Sequence, residues 1–341
     1  MKAAVFREVG QPLAVEEVPD PKATGADLVL QVKSCGICGS DLHVADQPPG
    51  LPGGTVMGHE FAGEVVEVGP EAGPGWKVGD RVVAQPFIGC GRCRACLSGD
   101  GSRCAEMKAT GLGGVPGAYA EFVRVGTAES LRLPDSVGWH GGALVEPLAV
   151  GLHAVNEASL VPGENVLVIG AGPIGLATAL WARFQGARSV VVSEKAAGRL
   201  VLAERFGATA TIDASKEIVA SAFEREAGGP PDVIFECVGV PGMIQQCLGL
   251  APARSRIVVV GVCMQPDTFF PGMGIVKELT LKFVVAYRQS DFRFTIDMLD
   301  AERIHAESMV TDVVGLDAFA DAFEALKKPT TQCKVMLEPG S

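Results

Sequence analysis

The sequence predicts a two-part α/β protein, an irregular, mostly β region joined to a doubly wound parallel-sheet domain. Three observations predict it. The N-terminal stretch up to about residue 152 is rich in Gly, Pro and short β-branched runs. The middle alternates apolar strands with helices. Finally, Gly170-Ala-Gly172-Pro173-Ile174-Gly175 stands where a strand gives way to a helix. A chain of 341 residues suits about two domains at ~150 residues each.

The β-rich part is carried by Leu28–Val32, Phe61–Val68 and Arg81–Ala84, separated by turn signals such as Gly73-Pro74-Gly75 and Val78-Gly79-Asp80. The pattern changes after His153. Asn165–Ile169 is apolar without alternation, as expected for a strand buried on both faces. A helix is predicted over 173–185, ending at Gly186, then a strand over 189–192, a helix over 196–206 and a strand over 209–212. A helix over 216–227, a strand over 232–235, a helix over 243–250 and strands over 256–260 and 279–284 complete the series. The tail holds helices over 293–299 and 316–327 and a last strand over 333–337.

Acidic residues number 40 against 29 Lys and Arg, a net charge of −11, so the surface repels phosphate backbones and nucleic-acid binding is not expected. No apolar run reaches the ~20 residues that span a bilayer, and charges at Lys2, Arg7 and Glu8 break any export signal. A cytoplasmic protein is expected, its ten Cys bound to metal or reduced.

In G-x-G-x-x-G, Gly170 allows the tight turn, Gly172 lets backbone approach a pyrophosphate, and Gly175 lets helix and strand pack closely. Pro173 and Ile174 open the helix, whose N–H groups hold the anion. Glu194 follows Gly175 by 19 residues, just past the next strand. A carboxylate there accepts hydrogen bonds from ribose hydroxyls and repels a 2′-phosphate, which favours NAD. Lys195 and Arg199 stand nearby and could instead pair with a phosphate.

Cys90, Cys93, Cys96 and Cys104 read C-x2-C-x2-C-x7-C. Four thiolates at that spacing close a tetrahedral zinc shell with no open position, so this metal is expected to be structural. An iron–sulfur site or unligated thiols are the alternatives. Three further segments offer ligands: Cys35-Gly-Ile-Cys38-Gly-Ser40-Asp41-Leu-His43, Gly58-His59-Glu60 and Glu146-Pro147. A thiolate, an imidazole and a carboxylate make a three-ligand site with one position left for water or substrate. The bland alternatives are a buried thiol, a satisfied core histidine and a helix-start carboxylate.

Taken with Gly63 and Val78-Gly-Asp-Arg-Val82, these motifs resemble the zinc-containing medium-chain alcohol dehydrogenases over essentially the whole chain, nearest the sorbitol, butanediol and threonine dehydrogenase branches. The resemblance implies a GroES-like catalytic domain over 1–152 and 290–341, with the four-Cys zinc lobe at about 88–106, and a Rossmann NAD-binding domain over 153–289, the active site lying between them. It implies two zinc ions per chain. The catalytic one falls to Cys38, His59 and either Glu60 or Glu146, because the second Cys ligand of the liver-type enzymes is missing here. It also implies a proton relay through Ser40 and His43, and a homotetramer or homodimer built by pairing Rossmann sheet edges. Asp41 is expected to orient backbone or His59.

The implied activity is hydride transfer between an alcohol and NAD. A small secondary alcohol, vicinal diol or cyclic alcohol is the expected substrate class. In the sorbitol branch an Arg-Tyr pair holds polyols, and here Ala286-Tyr287 replaces it. Ser40, Phe87 and Tyr287 are candidate pocket residues. The alternatives are a sorbitol- or galactitol-like polyol dehydrogenase, an L-threonine dehydrogenase, a zinc-free quinone or enone reductase, and a nucleotide-binding structural or regulatory protein.

Overall fold

The computed structural model describes residues 1–328 and 331–341. They form two compact units, Met1–Glu146 with Tyr287–Ser341, and Pro147–Ala286.

The second unit is built on a six-stranded parallel sheet, in the order Ala210–Asp213, Ser189–Glu194, Asn165–Ile169, Val233–Glu236, Arg256–Val259, Thr280–Phe283. Asn165–Ile169 comes first in the chain but lies inside the sheet. Two strands grow outward on one side, and the chain then crosses to the other. That is the doubly wound Rossmann order, with its switch point where Asn165–Ile169 and Val233–Glu236 end. All five residues of Asn165–Ile169 are buried, which explains the missing alternation.

Local chemistry shifts several boundaries. Helix Ala197–Ala203 tightens into a 3-10 turn, Glu204–Phe206, closed by Gly207 at φ 84°. The next helix starts only at Val219, because Asp213 holds the N–H of Ser215 and the ammonium of Lys216 in a turn. A short helix, Pro271–Val276, lies where the sequence reading places none.

The first unit is mainly a seven-stranded sheet. Strand Asp27–Gly36 runs antiparallel to Glu60–Val68, Phe122–Gly126 and the C-terminal strand Lys334–Leu337. The register sets Gly36 opposite both Glu60 and Met336. Segments more than 270 residues apart in the chain thus meet at one point of one sheet.

The two longest unread helices begin in this unit. Gly39–Asp46 follows strand Asp27–Gly36, and the 19-residue helix Trp139–Glu157 runs through the division between the units. Gly141, Gly142 and Pro147 are poor helix formers and hide the second one. Packing overrides propensity: a Cβ at Gly142 would lie 2.7 Å from Leu133 Cδ2 and 2.8 Å from Ala62 Cβ, so the helix rests on the sheet through a glycine.

A Cβ at Gly175 would lie 1.9 Å from the Gly170 carbonyl oxygen. The Gly175→Ala variant is expected to lose about 1–3 kcal/mol through this overpacking, read as a lower urea midpoint. An unchanged midpoint would contradict the close helix–strand contact.

Candidate active site

Cys38 occupies the N-cap position of helix Gly39–Asp46. Asp41, at the third helical position, reaches back so that its Oδ2 accepts from the Cys38 N–H at 3.3 Å. Its Oδ1 lies 3.2 Å from His59 Nδ1. The Ser40 hydroxyl sits 3.2 Å from Cys38 Sγ and 3.4 Å from His59 Nε2. His43 follows Ser40 by three residues, hence on the same helix face.

Cys38, His59 and Glu60 each bring one ligand atom within 4.8 Å of the others, and Glu146 is not part of that group. Burial lowers the His59 pKa, but the charges of Asp41 and Cys38 more than reverse this and leave it well above the usual value. The negative groups thus create a field that calls for a cation, and this donor set of thiolate, imidazole and carboxylate suits zinc.

Glu60 has a second partner. Lys334, from the terminal strand, donates to Glu60 Oε1 at 2.8 Å, Oε2 at 2.6 Å and the Ile37 carbonyl at 2.9 Å. Both side chains are buried. Gly36 makes room: a Cβ there would fall 2.3 Å from Glu60 Oε2. Sequence reasoning missed Lys334, and the available signal was one charge inside the apolar run Cys333–Leu337.

Burial pushes the Glu146 carboxyl up to about 7, with His59 opposing the shift and Glu60 adding to it. Tyr287 lies beside it. Burial, then the Glu146 charge, keeps that phenol protonated, and its ring stacks 5.4 Å from Phe292. Phe87 packs its ring against Gly101, under the four-Cys lobe.

In the lobe, Cys90, Cys93, Cys96 and Cys104 bring their sulfurs within 4.8 Å of one another. The N–H groups of Arg92 and Cys93 pull the Cys90 thiol down to about 7. The Cys90 N–H donates to Cys104 Sγ at 3.4 Å, and Gly89 N–H donates to the buried Glu129 at 3.0 Å. Four converging thiols with backbone donors fit a closed zinc shell.

In the other unit, Gly170 adopts φ 103°, Gly172 caps the helix and Pro173 starts it. Glu194 accepts from three backbone N–H groups, those of Ala171 at 2.9 Å, Lys195 at 2.7 Å and Ala196 at 2.9 Å. This fixes the carboxylate at the glycine turn, as a ribose acceptor requires. Lys195 is exposed, and Arg199 Nε is buried without a hydrogen-bond partner.

The profile of the alcohol dehydrogenase GroES-like domain matches residues 24–135, and that of the zinc-binding dehydrogenases matches residues 173–301. The chain is 34% identical to (R,R)-butanediol dehydrogenase of Bacillus subtilis (strain 168), over 99% of this chain and 100% of that one. The chain belongs to the zinc-containing medium-chain alcohol dehydrogenase family. Sorbitol dehydrogenase of Bacillus subtilis is 30% identical over 99% of this chain and 97% of its own length. The crystal structure of 2R,3R-butanediol dehydrogenase from Bacillus subtilis superposes with a TM-score of 0.89 at 33% identity, covering 99% of each chain. A zinc-binding dehydrogenase from Sinorhizobium meliloti 1021 bound to NADP gives 0.86 at 32% identity, again covering 99% of each chain. This alcohol dehydrogenase is therefore an oxidoreductase acting on CH–OH groups, with the GroES-like and Rossmann folds of the sorbitol and butanediol branch.

Removing Lys334 leaves a buried carboxylate without its counter-charge. In this alcohol dehydrogenase, Lys334→Met is expected to cost about 3–5 kcal/mol in urea unfolding, with partial recovery on adding Glu60→Gln. A loss below about 1 kcal/mol, the range of an exposed pair, would contradict the buried pair.

Proposed function

We propose that the enzyme oxidises a small secondary alcohol, vicinal diol or cyclic alcohol to its ketone with NAD. The observation that carries this reading is the convergence of Cys38, His59 and Glu60, with the Ser40 hydroxyl beside two of them. Cys38, His59 and Glu60 would hold the catalytic zinc, and the four-Cys lobe a structural one. Zinc, when bound, lowers the pKa of an alcohol and polarises its carbonyl product, while the nicotinamide carries the hydride.

The residues supply the rest. Ser40 would accept the substrate hydroxyl proton as it gives up its own toward His43, one helical turn on, which would release a proton to solvent. Glu146 and Tyr287 form a polar wall that can hydrogen-bond a second oxygen of the substrate, which suits a diol. The butanediol dehydrogenase relative supports that class. Gly170, Gly172, Pro173, Ile174 and Gly175 would seat the pyrophosphate. Glu194 would hold the ribose and disfavour a 2′-phosphate, while Lys195 and Arg199 lie nearby. The discontinuous unit is then the catalytic domain, and Pro147–Ala286 the cofactor domain.

A second copy of the chain fits the edge strand Thr280–Phe283, making a dimer or tetramer. Phe283 on that strand, and Ile275 and Val276 at the end of helix Pro271–Val276 before it, are 62%, 77% and 86% exposed. No helix among the described residues is long and apolar enough to cross a membrane. The four lobe cysteines gather as thiols and not as disulfides, which supports a reducing, cytoplasmic site.

The test is NADH formation from NAD⁺ with butanediol isomers, simple secondary and cyclic alcohols, sorbitol, galactitol and threonine. A diol or small secondary alcohol is expected to give the highest kcat/KM, with turnover lost on chelation and restored by zinc. Sorbitol or threonine as the best substrate would overturn the substrate class, and turnover indifferent to chelation would overturn the metal role.

A further inference from the structure

The chain has two tyrosines, and one of them lies behind the metal-binding cluster. Tyr119 is completely buried and donates its phenolic proton to Asp41 Oδ2 at 2.5 Å. The other oxygen of that carboxylate faces His59 Nδ1 at 3.2 Å. A line therefore runs from Tyr119 through Asp41 to His59, whose Nε2 is left for the metal side.

Tyr119 is held on every side. Its ring centroid lies 4.6 Å from that of Phe319 and 6.4 Å from that of Phe323. Its N–H donates to Met57 O, and the Ala118 N–H donates to Gly58 O, both at 2.9 Å. The ring lies over Gly58, the residue before His59, where a Cβ would fall 2.5 Å from Tyr119 Cδ1. One side chain thus grips both the backbone that carries His59 and the carboxylate that faces its ring.

Asp41 is itself fully buried, and its carboxylate has few other donors. The Cys38 N–H reaches Oδ2 at 3.3 Å, a longer contact than the phenol's. Without the phenol, the carboxylate would be free to rotate about its last bond and lose its aim at Nδ1. A metal-bound imidazole needs that partner to fix its tautomer and plane.

We propose that Tyr119 is a positioning residue of the catalytic metal centre, holding Asp41 against His59 so that the imidazole presents Nε2 to zinc. This rests on the reading of Cys38, His59 and Glu60 as a zinc site.

The test measures zinc transfer from the full-length, zinc-loaded protein to a colorimetric chelator. In the wild type, two kinetic classes of zinc are expected, one for each cluster. In Tyr119→Phe, one class is expected to leave about 10–100-fold faster, the usual effect of losing such an outer partner, with the four-Cys class unchanged. In an Asp41→Asn background, adding Tyr119→Phe should change nothing further, whereas a packing role would speed release there as well. Equal release from Tyr119→Phe and wild type, or acceleration that persists in the Asp41→Asn background, would overturn the proposal. A wild type with a single class would overturn the zinc-site reading itself.

A second measurement needs no variant at position 119. With two tyrosines, protein labelled with 3-fluorotyrosine gives two ¹⁹F resonances, assigned with Tyr287→Phe. The Tyr119 resonance is expected to shift when zinc is stripped and to return on reloading. A resonance that ignores the metal would overturn the proposal even if Tyr119→Phe failed to fold.

Discussion

A buried ammonium must be answered by charge and hydrogen bonds, and Lys334 is answered by both oxygens of Glu60 and by the Ile37 carbonyl. Much of the first unit depends on that knot. It ties the last strand of the chain to the segments that carry Cys38 and His59. The sheet register makes it possible, because Gly36 stands opposite both Glu60 and Met336. The tail is thereby an integral part of the region where Cys38, His59 and Glu60 converge.

Around the knot, the site separates its charges by role. Asp41 is spent on the Cys38 N–H and the Tyr119 hydroxyl, so it faces His59 without competing for the metal position. Glu60 is balanced by Lys334. Glu146, which burial pushes up to about 7, can be neutral near physiological pH. A two-thiolate site would carry its charge on its ligands, whereas here one thiolate is supplemented by carboxylates whose charge is tuned by neighbours. The four-Cys lobe follows a different logic. Its four sulfurs come from one short loop with backbone N–H groups pointing at them, and a metal held by all four would have no open position for chemistry.

The Rossmann unit was the more legible in sequence, because buried parallel strands leave uninterrupted runs such as Asn165–Ile169 and the glycine motif needs one local context. The four-Cys loop was legible for the same reason, being short-range. Helix Trp139–Glu157 was not, since Gly141, Gly142 and Pro147 argue locally against it and only its contact with the sheet explains them. Lys334 and Tyr119 escaped because their partners lie 274 and 78 residues away. A lone lysine in an apolar strand or a tyrosine between two alanines carries no local signal of what it will meet. The separation of Glu60 from Glu146 also needed geometry: both are carboxylates in plausible motifs, and only one joins the thiolate and the imidazole within 4.8 Å.

The central claim is that the chain holds two zinc sites with different work, one at Cys38, His59 and Glu60 and one in the cysteine lobe. Metal analysis of purified wild type, Cys38→Ser and Cys96→Ser tests it most directly. The wild type should carry about two zinc ions per chain, Cys38→Ser about one with the fold retained and turnover lost, and Cys96→Ser a less stable protein. A Cys38→Ser protein that keeps both ions, or that turns over substrate like the wild type, would contradict the account.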